Sequence, residues 1–328
     1  MASRENKWGK IKRGLAKRGK ILFWATCIFT AIGFLGRFFM LFELTSHFRM
    51  QYFVILLIAG VIYCCKKKWI LLSIAAVFFI ANVAVILPWY VPDRDKGADS
   101  YSQPLRLLFS NVHTGNNNYS SLIELVGRET PDIIVLEEVD NGWVNALKEK
   151  KLSDEYKFCE FCPRRDNFGL AVLSRIPLKD VNVKSFCEVM VPSIVAVIQI
   201  PKSELLLIAT HPVPPATPGY YSWRNEQFEH IARYVSNDPR PCVIVGDLNL
   251  TMWSYYHDKF LAETGLKNAR QGFGIKPTWP TILPPLFIPL DHCLCSSSIK
   301  VINFRTNGWI GSDHLPFIVD LLPPVGDR

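Results

Sequence analysis

An uncharged apolar run of 23 residues, WILLSIAAVFFIANVAVILPWYV (69–91), constrains the fold of this chain more than any other feature. A run of this length can cross a bilayer as one helix, and its Trp89 and Tyr90 are typical of the interface. Apolar runs at 21–42 and about 48–65 precede it, although the second is short for a span. We therefore predict a transmembrane region over 21–91 with three spans. Two spans with a re-entrant middle run are the alternative.

Positive charge before and within this region predicts its orientation. Residues 1–20 form a basic segment, with eight Lys and Arg between positions 3 and 20, and the tripeptide KKK stands at 66–68. Lys and Arg close to a span favour the cytoplasmic side. Three crossings would place everything after Val91 outside the cytoplasm, whereas two would return it to the cytoplasm.

The formal net charge of +8 belongs to the N-terminal region. Residues 92–328 hold 24 Lys and Arg against 27 Asp and Glu. A slightly acidic domain is not typical of a protein that binds duplex nucleic acid. The segment 92–104, PDRDKGADSYSQP, is polar and rich in turn-forming residues, which indicates a linker.

The remaining sequence, 105–322, has the hydrophobic pattern of an α/β domain. Short apolar runs separated by turns predict strands, and several are apolar on both faces, which indicates sheets covered on both sides. Helical patterns lie between them. The predicted helices cover 119–129, 142–150, 224–236 and 255–263, and the predicted strands are LRLLFSNV, DIIVLEEV, FGLAVLSR, SIVAVIQI, ELLLIAT, PCVIVGDLN, PLDHCLC and LPFIVDL. We expect two packed sheets flanked by helices.

Polar side chains stand at the ends of six of these strands. Singly, each is an ordinary turn or surface residue. Together, acids, amides and imidazoles at strand ends indicate a functional site. The set comprises Asn111, Glu138, His211, Asp247, Asn249, Asp291, Asp313 and His314.

The motifs SNVH, VLEEV, ATHP, VGDLN, PLDHCL and GSDHLPF occur in this order between 110 and 317. In this order they resemble the endonuclease/exonuclease/phosphatase superfamily, which has the DNase I-like fold. The run HPVPP…RNEQ (211–227) and the apolar N-terminal region are similar to its membrane-attached bacterial branch, the YafD-type proteins. The resemblance implies a four-layer α/β/β/α sandwich, divalent-metal hydrolysis of phosphate esters, and a multi-pass protein of the bacterial inner membrane.

A phosphoesterase needs a hard cation, and Mg²⁺ prefers carboxylate and water ligands; Mn²⁺ is a reasonable substitute. We expect Glu138 to bind it, because Glu137 points to the opposite face of a strand. The family places its metal-binding Glu at the second position, usually after Gln, so Glu137 is the departure. Asn111 would contact this metal or the phosphate, and Asp313 could be a further ligand.

The attacking water needs a base, and His314 has a suitable intrinsic pKa. Asp291 is the expected partner of its imidazole, the role that the resemblance also implies. Asp247 and Asn249 lie two residues apart and share a face. Asp247 would orient the water, Asn249 would donate to a phosphoryl oxygen, and His211 would stabilise developing charge.

Several other residues have weaker patterns. Arg224 and Asn225 could contact the substrate, or they could be a solvated helix start. His113 is expected to be peripheral and Trp279 to be a packing residue. If the domain is exported, one or two disulfides are expected among its six cysteines, with Cys242 as a buried thiol.

The leading hypothesis is therefore a membrane-anchored, Mg²⁺-dependent phosphoesterase. Its expected partners are the lipid bilayer and a phosphate-ester substrate, either a lipid head group or nucleic acid, and no protein partner is inferable. A nuclease acting on DNA or RNA is one alternative. A catalytically inactive binding module of the same fold is another, although the complete set of polar positions opposes it.

Overall fold

The computed structural model describes residues 2–92, 101–150, 152–201 and 203–325. They form two compact units: residues 1–87 with 253–255, and residues 88–252 with 256–328. Most of the predicted linker 92–104 lies outside the described residues.

The first unit contains four helices: α1 (Ala2–Gly33), α2 (Met40–Ser46), α3 (Arg49–Cys65) and α4 (Trp69–Ile86). The basic N-terminal segment is helical and continues directly into the first apolar run. That run, 21–42, is divided between two helices, since α1 ends at Gly33 and α2 begins at Met40. A Cβ at Gly36 would lie 3.0 Å from the Cα of Glu43, so the turn between the helices depends on a residue without a side chain.

One described helix is long and apolar enough to cross a membrane by itself. It runs from Trp69 to Tyr90, with a mean hydropathy of 2.8, and ends in a 3₁₀ turn (Leu87–Tyr90). Helices α2 and α3 qualify only as a pair, and that pair is bent by 65°. By length and composition, the described residues therefore contain one helix that could cross a membrane, or two if the bent pair is one span. The predicted three-span arrangement is not supported, because its first run is broken after Gly33.

Buried polar contacts join three helices of this unit. The Arg49 guanidinium donates from Nη1 to the main-chain oxygen of Thr30 at 2.9 Å, and Asn82 donates to Thr30 Oγ1 at 3.1 Å. Arg49, Asn82 and Thr30 are all buried. Buried hydrogen bonds of this kind help to specify how helices pack.

The second unit contains two six-stranded sheets. The strands are β1 (Leu105–Asn111), β2 (Ile133–Glu137), β3 (Phe158–Cys162), β4 (Leu170–Ser174), β5 (Leu178–Ser185), β6 (Pro192–Ile200), β7 (Ser203–Thr210), β8 (Cys242–Asp247), β9 (Leu266–Asn268), β10 (Asp291–Ser296), β11 (Lys300–Thr306) and β12 (Phe317–Leu322). The first sheet has the order β11-β12-β1-β2-β4-β3 and the second β5-β6-β7-β8-β10-β9.

Alternation along the strands builds four layers from these sheets. Leu107 and Phe109 lie in the core between the two sheets, where they meet Leu207 and Val245 of the second sheet. Leu108 points to the outer face, with the side chains of the helices that cover it. The helices of this unit are α5 (Tyr119–Glu129), α6 (Asn141–Glu149), α7 (Leu152–Glu155), α8 (Pro218–Ser236) and α9 (Tyr255–Thr264).

Helices α5 and α6 cover the first sheet, and α8 and α9 cover the second. The predicted α/β sandwich of two sheets flanked by helices is thereby confirmed. Helix α8 begins six residues before the predicted start at 224. Thr217 caps it by accepting a hydrogen bond from the Tyr220 N–H, and Pro218 occupies the first turn.

Strand direction brings the predicted polar residues to one edge of each sheet. In the first sheet β1 and β2 are parallel, and β12 runs antiparallel to β1, so the ends of β1 and β2 lie beside the start of β12. In the second sheet β7 and β8 are parallel and β10 is antiparallel to β8, which sets Asp291 opposite Asp247. The topology therefore gathers side chains that are far apart in the sequence.

Each of the nine cysteines, all within the described part of the chain, is a free thiol. Cys242 is buried in the core, as predicted. The disulfides expected for an exported domain are not formed in this structure.

Gly246 in β8 tests how closely this strand approaches both its neighbour β7 and the Glu137 carboxyl of the other sheet. A Cβ there would lie 1.9 Å from the Thr210 carbonyl oxygen and 2.6 Å from Glu137 Oε1. We expect Gly246→Ala to lower the free energy of unfolding by at least about 1–3 kcal/mol, because the backbone must move. The control is Gly127→Ala on exposed helix α5, where nothing lies within 4 Å; it should stabilise by roughly 0.5–1 kcal/mol. Equal thermal unfolding midpoints for the two variants would contradict this packing.

Candidate functional site

The first group of polar side chains lies where β1 and β2 end. The Asn111 amide donates to Glu138 Oε1 at 2.9 Å, and the main-chain N–H of Thr114 donates to Oε2 at 3.1 Å. Asn111 Oδ1 in turn accepts the N–H of His113. These contacts hold the Glu138 carboxylate at the end of β2.

Asp313 joins this group from the other side of the sheet edge. His113 Nδ1 lies 3.6 Å from Glu138 Oε2 and 3.5 Å from Asp313 Oδ1, so a single imidazole stands between the two carboxylates. The Trp279 indole donates to Asp313 Oδ2 at 3.0 Å. His113 and Trp279, expected to be peripheral and packing residues, both contact the predicted metal ligands. Their spacing in the sequence carries no signal of these contacts.

The chemistry of this group fits a hard divalent cation. Glu138, Asp313 and Asn111 offer oxygen atoms, which Mg²⁺ prefers. Asp313 Oδ1 is buried and has no hydrogen-bond partner among the described residues. Its ion-pair neighbour is His113 Nδ1 at 3.5 Å, and a buried carboxylate oxygen is costly without a compensating positive group.

His314 and Asp291 form a buried pair beside this group. His314 Nδ1 lies 3.1 and 3.0 Å from the two Asp291 carboxylate oxygens. Burial alone would lower the pKa of His314, but the Asp291 carboxylate and its hydrogen bond outweigh it and raise that pKa to about 10. The Asp291 contact assigns the Nδ1 proton and leaves Nε2 directed towards the site.

Asp247 lies between two imidazoles. Its Oδ2 atom is 3.6 Å from His314 Nε2 and 3.7 Å from His211 Nε2. Burial raises the pKa of Asp247 to about 7 and lowers that of His211 to about 4. His211 is therefore neutral at pH 7 and can donate a hydrogen bond to an anion.

A second arrangement for a cation is also geometrically available. Asp247, Asp291 and His314 offer ligand atoms that lie within 4.8 Å of one another. His314 would then be a ligand and could not accept a proton from water at the same nitrogen. The two roles are separable by experiment, because a ligand sets metal affinity and a base does not.

Glu137 does not point away from the site, in contrast to the expectation from strand alternation. It lies in the interface between the sheets, where its Oε2 accepts the main-chain N–H of Asp247 at 3.0 Å. Its Oε2 atom also lies 3.9 Å from His211 Nδ1. Glu138 follows the end of β2 with φ +60°, so regular alternation stops there and both carboxylates reach the site. Burial raises the pKa of Glu137 well above its usual range.

Of the residues predicted to contact the phosphate, Arg224 contacts the main chain of Asn249. Asn249, with φ +51°, donates from its side chain to the Pro212 carbonyl. Arg224 is fully buried and donates from Nη1 to the Asn249 carbonyl at 3.1 Å, while its Nε and Nη2 donate to Asn225 Oδ1. These contacts put Arg224 behind Asn249, and direct contact of Arg224 or Asn225 with substrate stays a prediction.

One residue that was not among the predicted site residues, Ser312, also fixes main-chain geometry. The Ser312 hydroxyl donates to the Asn111 carbonyl and accepts the N–H of His314. Three site residues, His113, Glu138 and Asn249, have φ between +51° and +62°. Non-glycine residues in this region are uncommon and cluster at functional sites.

Solved structures share this fold at low sequence identity. D. rerio TDP2 complexed with a single-strand DNA product is 16% identical with a TM-score of 0.56, covering 67% of this chain and 99% of that chain. The human Nocturnin catalytic domain with a bound sulfate anion is 17% identical with a TM-score of 0.56, covering 66% and 94%. An endonuclease/exonuclease/phosphatase from Beutenbergia cavernae DSM 12333 is 18% identical with a TM-score of 0.55, covering 68% and 72%.

No curated protein matches the chain in sequence. The model of the Endonuclease/Exonuclease/phosphatase family matches residues 108–314. This range begins in β1 and ends at His314, so it contains all the polar strand ends described above. It also covers more than half of the chain. The chain therefore belongs to the endonuclease/exonuclease/phosphatase family.

Proposed function

We propose that this chain is a membrane-anchored, Mg²⁺-dependent phosphoesterase. The observation that carries the proposal is the adjacency of an oxygen-rich group (Asn111, Glu138, Asp313) and a hydrogen-bonded His314–Asp291 pair. Membership of the endonuclease/exonuclease/phosphatase family supports hydrolysis of a phosphate ester.

Glu138 and Asp313 would hold the cation, with Asn111 as its amide neighbour. When bound, Mg²⁺ neutralises phosphoryl oxygens and polarises the ester. Three features of the residue set support Mg²⁺ over a softer metal: two carboxylates, an amide, and no thiolate among the described residues of the group.

The chain's own residues would handle the proton. His314 would take it from the attacking water at Nε2, because Nδ1 already holds a proton shared with Asp291. A pKa of about 10 leaves Nε2 protonated at pH 7 in the metal-free protein, so this role requires that a cation at Asp313 offset part of the negative charge that raises the pKa. The positive charge that develops on the imidazole is stabilised by Asp291 and by Asp247, 3.6 Å from Nε2. Asp247 orients the water, and neutral His211 and the Asn249 amide donate to phosphoryl oxygens.

A phospholipid head group or a similar amphiphile is the substrate class we favour. Ile282 and Trp309 are 82% and 63% exposed. The neighbouring Thr281 N–H donates to the Asp313 carbonyl, and the Trp309 indole donates to the Ser312 carbonyl. Exposed apolar side chains therefore lie next to residues that hydrogen-bond to the main chain of the site, where they could contact the apolar part of a lipid. The acidic balance of residues 92–328 opposes binding of a polyanion.

Nucleic acid is the second candidate, because the similar D. rerio TDP2 structure holds a single-strand DNA product. Purified full-length protein with Mg²⁺ and a panel of phospholipid vesicles, plasmid DNA, RNA and sugar phosphates would distinguish the two. Preferred turnover of plasmid or RNA would overturn the lipid proposal. No Mg²⁺-dependent turnover of any substrate, including bis-p-nitrophenyl phosphate, would favour an inactive binding module.

His314→Ala should reduce turnover of bis-p-nitrophenyl phosphate by on the order of 10²–10⁴-fold or more, because the water loses its proton acceptor. The Mg²⁺ concentration for half-maximal binding, measured by calorimetry, should change little. His230→Ala on helix α8 is the control and should keep wild-type turnover. A large loss of Mg²⁺ affinity in His314→Ala would instead make His314 a metal ligand.

Glu138→Gln should weaken the Mg²⁺ dependence of turnover much more than Glu137→Gln. The reason is that Glu138 offers a carboxylate to the cation, whereas a Gln at 137 can still accept the Asp247 N–H through its amide oxygen. Mg²⁺ titrations of the initial rate provide the measurement. Equal effects of the two substitutions would show that both carboxylates bind metal.

We propose that the helix Trp69–Tyr90 is the anchor in a bacterial inner membrane and that the catalytic unit lies outside the cytoplasm. Lys66, Lys67 and Lys68 directly precede this helix and favour the cytoplasmic side at its start. If the helix crosses, its C-terminal end must emerge on the opposite side. If the bent pair α2–α3 crosses the membrane as a second span, residues 3–20 remain cytoplasmic only if the apolar end of α1 crosses as well.

A fusion to alkaline phosphatase after Tyr101 should therefore be active, and a green fluorescent protein fusion at the same position should be dark. The basic residues 66–68 favour the cytoplasmic side at the start of the helix. Replacing them with Gln should therefore reduce phosphatase activity and increase fluorescence of the two fusions. A fluorescent fusion with inactive phosphatase would place the catalytic unit in the cytoplasm. That outcome would also strengthen nucleic acid as the substrate.

A further inference from the structure

Arg270 lies directly behind Asp291 in the second sheet. It is fully buried, and its Nη2 donates to the main-chain carbonyl of Asp291 at 2.8 Å. Its guanidinium also lies 4.9 Å over the Phe304 ring. Burial lowers the pKa of Arg270 to about 9, against the opposing effect of the Asp291 carboxylate, so the side chain stays a cation at pH 7. Burying a cation is costly unless neighbouring groups compensate its charge, so a specific role for Arg270 is expected.

The polar groups around Arg270 form a connected network. His292, the residue after Asp291, has its Nε2 2.9 Å from the Leu250 carbonyl, which can only accept, so Nε2 carries the proton. Nδ1 of His292 then accepts, from Asn268 at 2.9 Å and from Arg270 Nη1 at 3.4 Å. Asn268 also lies 3.0 Å from His257 Nε2. The network fixes the orientation of the guanidinium from two sides.

The loop that carries Arg270 is held at its other end as well. The N–H groups of Gly272 and Gly274 both donate to the Trp89 carbonyl at 3.0 Å. The Gln271 side chain donates to the carbonyls of Pro88 and Val91. Four hydrogen bonds therefore hold this loop in place and limit the displacement of Arg270.

We propose that Arg270 is a positioning residue for the His314–Asp291 pair. The inference rests on the proposed function for its kinetic consequence. Arg270 holds the Asp291 carbonyl, the Thr278 hydroxyl lies 3.4 Å from the Asp291 N–H, and register pairing with Asp247 holds the strand. Asp291 is thereby presented to His314 Nδ1 with both oxygens within 3.1 Å.

This arrangement matters because general-base catalysis depends on placement. A displacement of the base by about 1 Å can cost about 10²-fold in rate. Residues that orient a catalytic or ligating group through a hydrogen bond are worth about 10- to 100-fold when removed. Among the described residues Arg270 forms no hydrogen bond with the oxygen-rich group or with His314, so its effect should be confined to the chemical step.

The test compares Arg270→Met and Arg270→Lys with a stability control in the full chain. Methionine keeps a long side chain and removes every donor, whereas lysine keeps a cation and a donor. Ile299→Ala removes aliphatic volume from the core between the sheets, where no site residue is contacted through a hydrogen bond. We expect Arg270→Met to lower kcat on bis-p-nitrophenyl phosphate by about 10- to 100-fold, with KM and Mg²⁺ affinity nearly unchanged. Arg270→Lys should recover part of the loss.

Rates are compared per folded protein, at a temperature below the unfolding midpoint of every variant. If Ile299→Ala and Arg270→Met, at matched stability, lose the same fraction of kcat, Arg270 has only a structural role and the proposal fails. A rise in KM without a fall in kcat would also contradict it, because it would put Arg270 in substrate binding.

A proton NMR signature separates this proposal from the proposed function. The His314 Nδ1–H bonded to Asp291 should give a far-downfield resonance that is absent in His314→Ala. We expect it to be lost or shifted in Arg270→Met and kept in Ile299→Ala, whether or not the protein turns over any substrate. An unchanged resonance in Arg270→Met overturns the positioning role. Inactivity of the wild type with the expected resonance changes overturns only the phosphoesterase.

Discussion

The hydrogen bond from the Asp247 N–H to Glu137 is the interaction on which the site depends, because it joins the two sheets at the edge where their polar ends meet. His314 also contacts Asp291 and Asp247 across this edge, and the rest of the core between the sheets is mainly aliphatic and aromatic. A close approach here is allowed by Gly246, whose missing side chain leaves room for the Glu137 carboxyl and the Thr210 carbonyl. Glu138 and Asp247 therefore stand at a fixed separation.

The electrostatics of the site follow from this close approach. Four acidic side chains, Glu137, Glu138, Asp247 and Asp291, are buried within one small region. Burial opposes their ionisation, and it raises the pKa values of Glu137 and Asp247. His314 partly compensates by holding a proton between Asp291 and Asp247. The divalent cation that we propose at Glu138 and Asp313 would offset part of this concentration of carboxylates.

Much of this architecture could be predicted from the sequence, because the central strands are apolar runs and their ends are polar. The strands missed by that reasoning are β3, β5, β9 and β11, which are the four edge strands of the two sheets. Edge strands bury fewer side chains, as the exposed face of β5 shows, and so they carry a weak hydrophobic pattern. The break at Gly33 was missed because composition alone does not report a turn that depends on one close contact.

The site was predictable where its residues follow strands and not where its contacts are long-range. Asn111, His211 and Asp291 could be proposed from strand ends. His113, Trp279 and Glu137 could not, since their roles come from distances across the sheet edge. Regular alternation also fails at Glu138, where φ is positive, and this local irregularity brings adjacent carboxylates to one site.

Two buried arginines support the acidic site through the main chain of its residues. Arg224 donates to the Asn249 carbonyl and Arg270 to the Asp291 carbonyl, so each cation contacts the main chain of a site residue and not its side chain. A cation placed in front would pair with the carboxylates and compete with a metal ion. Placed behind, the guanidinium groups offset part of the buried negative charge through the backbone and orient the side chains.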